Sequence, residues 1–286
     1  MSGLALERER DDEEKKLDQL RANLLKLINE ERAAENVPPV VLDDLATRIA
    51  TRHAEDMARH KYASHWDREG LKPYHRYSFG GGVHATQENI SAADNTWSTK
   101  IDDLLQDTSY LHIRLYQEKP PNDGHRQTIL APQQTHVGLG IALDELRLRV
   151  VELFVAKHLD VNSVARKVKA TDSFTFSARL TVPETYLRVI EVFYEPLPQE
   201  PDMQWLRQPR PYSLPKDSIV LRPKVPPPFL YTDRKPGVIE IAKDGTFKVP
   251  IRLFKKQAGI YTIVTWLERG TSRKAFPATE VCVRAE

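Results

Sequence analysis

The chain has 286 residues, 40% of them hydrophobic and 29% charged; at roughly 150 residues per domain this is about two folded domains and excludes a wholly disordered protein. Its 42 basic and 40 acidic side chains leave a formal charge of +2, too small to make a strong case for nucleic acid or an anionic membrane as a partner. No run approaches the ~20 apolar residues of a transmembrane helix, and the first residues lack the basic and apolar regions of an export signal.

Along the chain, Leu17, Leu20, Leu24, Leu27 and Ile28 recur at three- and four-residue spacings and predict an amphipathic helix over 12–35, stopped by Val37-Pro38-Pro39. Asp43 is placed to cap a second helix whose apolar face carries Leu45, Ala46, Ile49, Ala50, Ala54, Met57 and Ala58. Residues 61–86 lose this period and include Pro73 and Gly80 to Gly82, so a long irregular loop is expected. Helical pattern returns over 96–119, with a break expected near Thr108 and Ser109, and Pro120-Pro121-Asn122-Asp123-Gly124 forces a turn. Two apolar runs, 137–143 and 146–155, flank Asp144-Glu145 and predict a tight antiparallel hairpin.

Helices followed by strands indicate an α+β first domain, assigned to 1–165. From Phe174 the period becomes two, with further strands expected at 187–194, 246–254, 259–268 and 279–283. Half of the 20 prolines lie between Glu195 and Phe229, which argues against helix or central strand there. Residues 166–286 are thus expected to form a small all-β sandwich of Ig-like size with proline-rich connections, suited to a spacer or a protein-contact surface and offering no acid–base cluster.

The Gly-x-Ser-x-Gly elbow, the Walker A loop, the His-Glu-x-x-His helix and paired Cys-x-x-Cys motifs are all missing. The single cysteine, Cys282, excludes an intramolecular disulfide and lies in an expected strand, where a buried apolar role outweighs a nucleophilic one. All nine histidines precede residue 165. Imidazole is the commonest neutral metal ligand and titrates near neutral pH, so metal or acid–base chemistry is expected in the first domain.

Four ordered stretches single out particular histidines: Tyr62-Ala63-Ser64-His65-Trp66-Asp67, Gln87-Glu88-Asn89-Ile90, Tyr116-Gln117-Glu118, and Asp123-Gly124-His125-Arg126-Gln127-Thr128. Together with the helix around Leu27-Ile28-Asn29-Glu30-Glu31-Arg32 and the strand Thr135-His136-Val137-Gly138-Leu139-Gly140, they resemble the CAP superfamily of cysteine-rich secretory, antigen 5 and pathogenesis-related 1 proteins and its bacterial SCP-like branch. The resemblance runs from about Leu17 to Asp160 and implies an α-β-α sandwich with a cleft of two histidines and two glutamates, which fall on His65, Glu88, Glu118 and His125. Gln87 departs from the family's common glycine.

By that resemblance, His65 and His125 are candidate ligands for Zn²⁺ or another divalent cation, and Glu88 and Glu118 are candidate general bases or orienting groups. Two imidazoles leave coordination positions for water, and a metal-free hydrogen-bonded tetrad is the competing arrangement. The family further implies an extracellular or cell-envelope protein that is primarily a binding module for a small ligand, with lipid or sterol binding as one alternative. A metal-assisted hydrolase of peptide or envelope polymers is another. Trp66, Tyr74, Tyr77 and Phe79 are expected to be loop anchors more than groove walls, and Arg126 to form a salt bridge.

Overall fold

A computed structural model describes residues 3–96, 98–162, 164–270 and 274–286. Helices are α1 (Gly3–Ala34), α2 (Asp44–His60), α3 (Pro73–Phe79), α4 (Ile101–Tyr116), α5 (Gly124–Ile129) and α6 (Met203–Leu206). Strands β1 (Val41–Leu42), β2 (Ala85–Ala93), β3 (His136–Asp144) and β4 (Arg147–Ala156) form one sheet in the order β1-β3-β4-β2. The remaining strands are β5 (Leu159–Val161), β6 (Lys167–Val168), β7 (Ser173–Leu180), β8 (Thr185–Glu195), β9 (Asp217–Leu221), β10 (Glu240–Ile241), β11 (Thr246–Arg252), β12 (Gly259–Arg269), β13 (Phe276–Pro277) and β14 (Val281–Ala285). The chain divides into two compact units, one of Met1–Arg68, Gln87–Val155 and Pro201–Pro211, the other of Glu69–Thr86, Ala156–Glu200 and Tyr212–Glu286.

In the first unit, strand alternation sorts the helices onto the two faces of the sheet. Val137, Leu139 and Ile141 of β3 and Leu148, Val150 and Phe154 of β4 share an apolar cluster with Leu20, Leu24 and Ile28 of α1 and Leu104, Leu111 and Leu115 of α4. The residues of opposite parity, Gly138 and Gly140, meet α2: a Cβ at Gly138 would lie 2.2 Å from the Ala46 carbonyl carbon, and one at Gly140 would lie 2.2 Å from that of Ala50. Glycine at both positions lets helix backbone rest directly on strand backbone. The result is helix, sheet and helix in layers, an α+β arrangement.

Local chemistry sets the element ends. The Asp43 side chain accepts from the Ala46 amide at 2.6 Å, and α2 ends at Lys61 in the left-handed conformation (φ 60°), the two ends of a well-capped helix. Arg32 of α1 is fully buried and donates to the carbonyls of Pro38, Ile129, Ala131 and Gln134. Burial lowers its pKa to about 10, leaving it cationic at neutral pH.

Three expectations need correction. Residues 61–86 are not wholly irregular: Pro73 occupies the first turn of α3, where its missing N–H costs nothing, and Tyr74, His75, Tyr77 and Ser78 are buried. The helix after Thr96 is one piece, α4, because the hydroxyls of Thr108 and Ser109 donate back to the carbonyls of Leu104 and Leu105 at 2.7 and 2.6 Å and so satisfy themselves within the helix. Within the proline-rich stretch, Asp202 caps the short helix α6 by accepting from the Trp205 amide, while β9 pairs with β8 alone, as an edge strand.

In the second unit, sheets ordered β10-β11-β7-β5 and β6-β14-β12-β8-β9, with β13 on β12, contribute to one core. Phe176, Phe247, Val249 and Ile251 from the first sheet join Ile190, Val192, Tyr261, Ile263, Val281 and Val283 from the second. Cys282 is fully buried on β14, and burial pushes its thiol up to about 12, consistent with an apolar role. Its amide donates to the Ser78 hydroxyl at 2.7 Å, fastening α3 to this strand.

His75, His84 and His158 fall in the second unit, where a charged cluster brings side chains from before residue 165 onto Glu195. The Glu195 carboxylate receives Lys72 Nζ at 2.7 Å and the Tyr74 hydroxyl at 3.0 Å, and lies 3.0 Å from His75 Nε2. Burial raises the Glu195 pKa, but His75 and Lys72 outweigh that and hold it at about 2. The cluster joins residues more than a hundred positions apart, a distance no local motif spans.

Candidate functional site

Two histidine–glutamate pairs occupy the first unit. His65 lies in the turn after α2, whose entry is fixed by the Tyr62 amide donating to the Met57 carbonyl at 3.1 Å. The neighbouring Ser64 carbonyl is 2.8 Å from Nε2 of the buried His53, and the Ser64 hydroxyl accepts from the Trp66 amide at 3.1 Å. His53 is therefore a structural support for the turn.

Glu88 stands on β2, with its side chain almost wholly buried and its Oε1 2.9 Å from His65 Nδ1. It projects from a strand, not a loop. Gln87 is engaged by the Gln134 amide at 2.8 Å, and Gln134 in turn offers its main-chain carbonyl to Arg32.

The second pair is built at the start of α5. Glu118 follows the end of α4, and its Oε1 lies 2.6 Å from His125 Nδ1 while its Oε2 accepts from the His125 amide at 3.0 Å. A carboxylate at a helix N-terminus satisfies an otherwise unbonded amide; Glu118 is thus a partnered group, not a solvated helix end. Both pairs use Nδ1, and a carboxylate on that nitrogen fixes the tautomer and orientation of each ring.

Asn89 ties the pairs together. It follows Glu88 on β2, and its side-chain amide donates to the His125 carbonyl and to Glu152 Oε2, both at 3.2 Å. Beneath it, His112 of α4 is sandwiched between carboxylates, with Nδ1 2.6 Å from Glu152 Oε1 and Nε2 2.8 Å from Glu31 Oε2. Burial alone would lower the His112 pKa, yet Glu152 and Glu31 outweigh it and raise it to about 10, so a buried imidazolium is held at neutral pH. Sequence reading missed this support; its signal was a histidine on the apolar face of a helix.

Other expectations are met by simple packing. Tyr74 and Tyr77 are buried, Phe79 packs against a small apolar cluster, and Trp66 stacks edge-on against Trp205 at 5.2 Å. Arg126 bonds Glu35 at 2.7 Å and lies over the Tyr116 ring. Among the described residues no group of three or more His, Cys, Asp or Glu side chains is arranged to hold a metal.

The sequence pattern of the family described as CAP, the cysteine-rich secretory protein family, matches residues 25–155, an interval that contains both pairs, Asn89, and the Glu31–His112–Glu152 support. Residues 25–155 are a CAP domain. A curated relative of this domain-bearing chain is Cilia- and flagella-associated protein 184 of Tetrahymena thermophila, 26% identical over 158 residues, which are 55% of this chain and 19% of that protein. The chain therefore spans about a fifth of the length of the curated relative it matches.

Two solved structures are also similar. One is an extracellular protein containing an SCP domain from Bacillus anthracis, 24% identical with a TM-score of 0.35, covering 48% of this chain and 41% of the other. The second is an outer surface protein from Borrelia burgdorferi, 16% identical with a TM-score of 0.39, covering 48% of this chain and 92% of its own. No helix among the described residues is long and apolar enough to cross a membrane.

Proposed function

We propose that this CAP-domain protein is a binding module in which the His65–Glu88 and His125–Glu118 pairs together take a divalent cation or a small polar ligand. The observation that carries the reading is that each glutamate holds the Nδ1 side of its histidine. That is the orienting role carboxylates play behind ligating imidazoles. The donor set suits an exchangeable ion such as Zn²⁺ held by two imidazoles and completed by water, and does not suit a structural zinc, which takes four protein ligands.

The carboxylates serve better as orienting groups than as general bases. Glu88 is nearly inaccessible, and both oxygens of Glu118 are engaged by His125, whereas a general base must reach the proton it removes. This favours binding over hydrolysis. The second unit, which we assign as an Ig-like sandwich, supplies a protein-contact surface, and we place the protein outside the cell or in the cell envelope; immunolocalisation tests this, and a ciliary location would instead align it with its Tetrahymena relative.

Calorimetric titration of the metal-stripped protein with Zn²⁺, beside folded His65→Ala and His125→Ala variants, tests the site. Saturable binding lost in both variants is the expected result. Binding indifferent to both substitutions, or none at all, removes the cation and leaves the small-ligand form of the proposal to be screened.

A further inference from the structure

Ten large apolar side chains are exposed among the described residues, and five of them, Val220, Phe229, Leu230, Val238 and Ile241, lie on β9, β10 and the connection between them. Single exposed apolar residues are ordinary; their concentration in one segment is not. The connection, residues 222–239, joins edge strands of the two sheets of the second unit, and its base is braced. The Lys224 amide donates to the Ile239 carbonyl and the Val238 amide to the Arg222 carbonyl, both at 2.8 Å. Arg222 bonds Asp233 at 2.7 Å and lies over the Tyr231 ring, whose hydroxyl donates to the Pro223 carbonyl at 2.8 Å.

The tip of this braced loop is Pro226-Pro227-Pro228-Phe229-Leu230, all exposed, with Phe229 and Leu230 at 67% and 70%. Three of these five residues have no backbone N–H, and the Phe229 amide donates within the turn to the Pro226 carbonyl at 3.0 Å. Only the Leu230 amide is left to seek a partner. A segment nearly free of unsatisfied donors enters a low-dielectric medium at little cost, whereas a strand-like protein groove would reward the donors that proline removes.

Charge points the same way. The connection carries Arg222, Lys224, Arg234 and Lys235 against the single acid Asp233, a net of +3 on 18 residues in a chain whose whole formal charge is +2. Arg222 and Lys224 are paired with Asp233 and Glu240, while Arg234 and Lys235 are exposed and have no acidic ion-pair partner among the described residues. Apolar side chains at a tip with basic ones just behind it match the layering of a membrane surface that bears anionic headgroups.

We infer that the 222–239 loop is a membrane-docking device that inserts Phe229 and Leu230 into the interface of an anionic lipid bilayer while Arg234 and Lys235 face its headgroups. Co-sedimentation of the full chain with phosphatidylcholine vesicles, with and without phosphatidylserine, tests this. The expected result is binding that needs phosphatidylserine and weakens with added salt. It should fall about a hundredfold in Phe229→Ala/Leu230→Ala and about fivefold for each of Arg234→Gln and Lys235→Gln.

All four positions are exposed, so thermal melts of the variants are expected to match the parent. A Phe229→Trp variant should also shift its emission to the blue on phosphatidylserine vesicles and be quenched by brominated acyl chains. Binding to neither vesicle type, binding indifferent to the tip substitutions, or capture of the loop by an acidic protein in place of vesicles would overturn the inference.

Discussion

His112 and Glu152 meet at 2.6 Å with neither side chain exposed, and Glu31 closes the other side of the same imidazole at 2.8 Å. Removing the cation leaves two carboxylates facing an apolar layer. His112→Ala is therefore expected to cost about 3–5 kcal/mol, measured by urea denaturation at neutral pH. Because the folded pKa of about 10 lies above the ordinary 6.5, the stabilisation is complete below ~pH 6.5 and is lost as pH rises through about 10. The parent should lose stability over that alkaline window, and the variant should lack this dependence.

Asn89 is where that buried charge reaches the site. Asn89→Ala removes the donor to both the His125 carbonyl and Glu152, and should lower stability by about 1–2 kcal/mol. In the Zn²⁺ titration it should also weaken binding, about tenfold by analogy with other outer-shell substitutions. Unchanged affinity in a destabilised variant would mean that Asn89 supports the fold alone.

Gly140 is expected to tolerate no side chain. A methyl group there would stand 2.2 Å from backbone of α2, which has no flexible end to move aside, so Gly140→Ala should destabilise by about 1–3 kcal/mol or more. Since α2 leads directly into the turn that carries His65, ligand affinity should fall with it; a melt and a titration on the same sample check both.

Glu280 lies buried in the second unit with its Oε2 accepting from the amide and hydroxyl of Thr86 at 2.8 and 3.2 Å. Burial raises its pKa from 4.5 to about 8 against the lowering effect of those bonds. The folded chain thus keeps a proton that the unfolded chain releases, and stability falls as pH rises from ~4.5 to about 8. Glu280→Gln should be neutral near pH 4 and more stable than the parent at pH 7, by on the order of 2 kcal/mol; equal stability at both pH values would contradict this.

Elements with a sustained period were legible in the sequence. The apolar face of α2 and the Asp43 cap, the β3–β4 hairpin around Asp144-Glu145 and the alternation of β7, β8, β11 and β12 all announce themselves within a few residues. Helix α3 did not, because seven residues opening on proline and closing on glycines offer fewer than two turns of pattern. Thr108 and Ser109 looked like a break because their hydroxyls compete with backbone in an isolated segment, yet inside α4 they bond to the preceding turn.

The site divides along the same line. Glu118 and His125 are seven residues apart and their pairing follows from a turn between two helices, whereas Glu88 and His65 meet only through the packing of β2 beside the turn after α2. Glu31, His112 and Glu152 are separated by 81 and 40 positions, and each alone is an ordinary side chain. Only the layering of α1 and α4 on one face of the sheet turns them into a unit.

The chain's one thiol, sealed under β12 and α3 with its sulfur 3.5 Å from the Thr262 hydroxyl and 3.8 Å from the Tyr74 carbonyl, is a ready-made clock. A thiol held to about 12 in a closed lattice of strands reacts with alkylating reagents only when that lattice opens. The rate at which Cys282 takes up a label in native buffer therefore counts the openings of the second unit directly, without any probe being added to the protein.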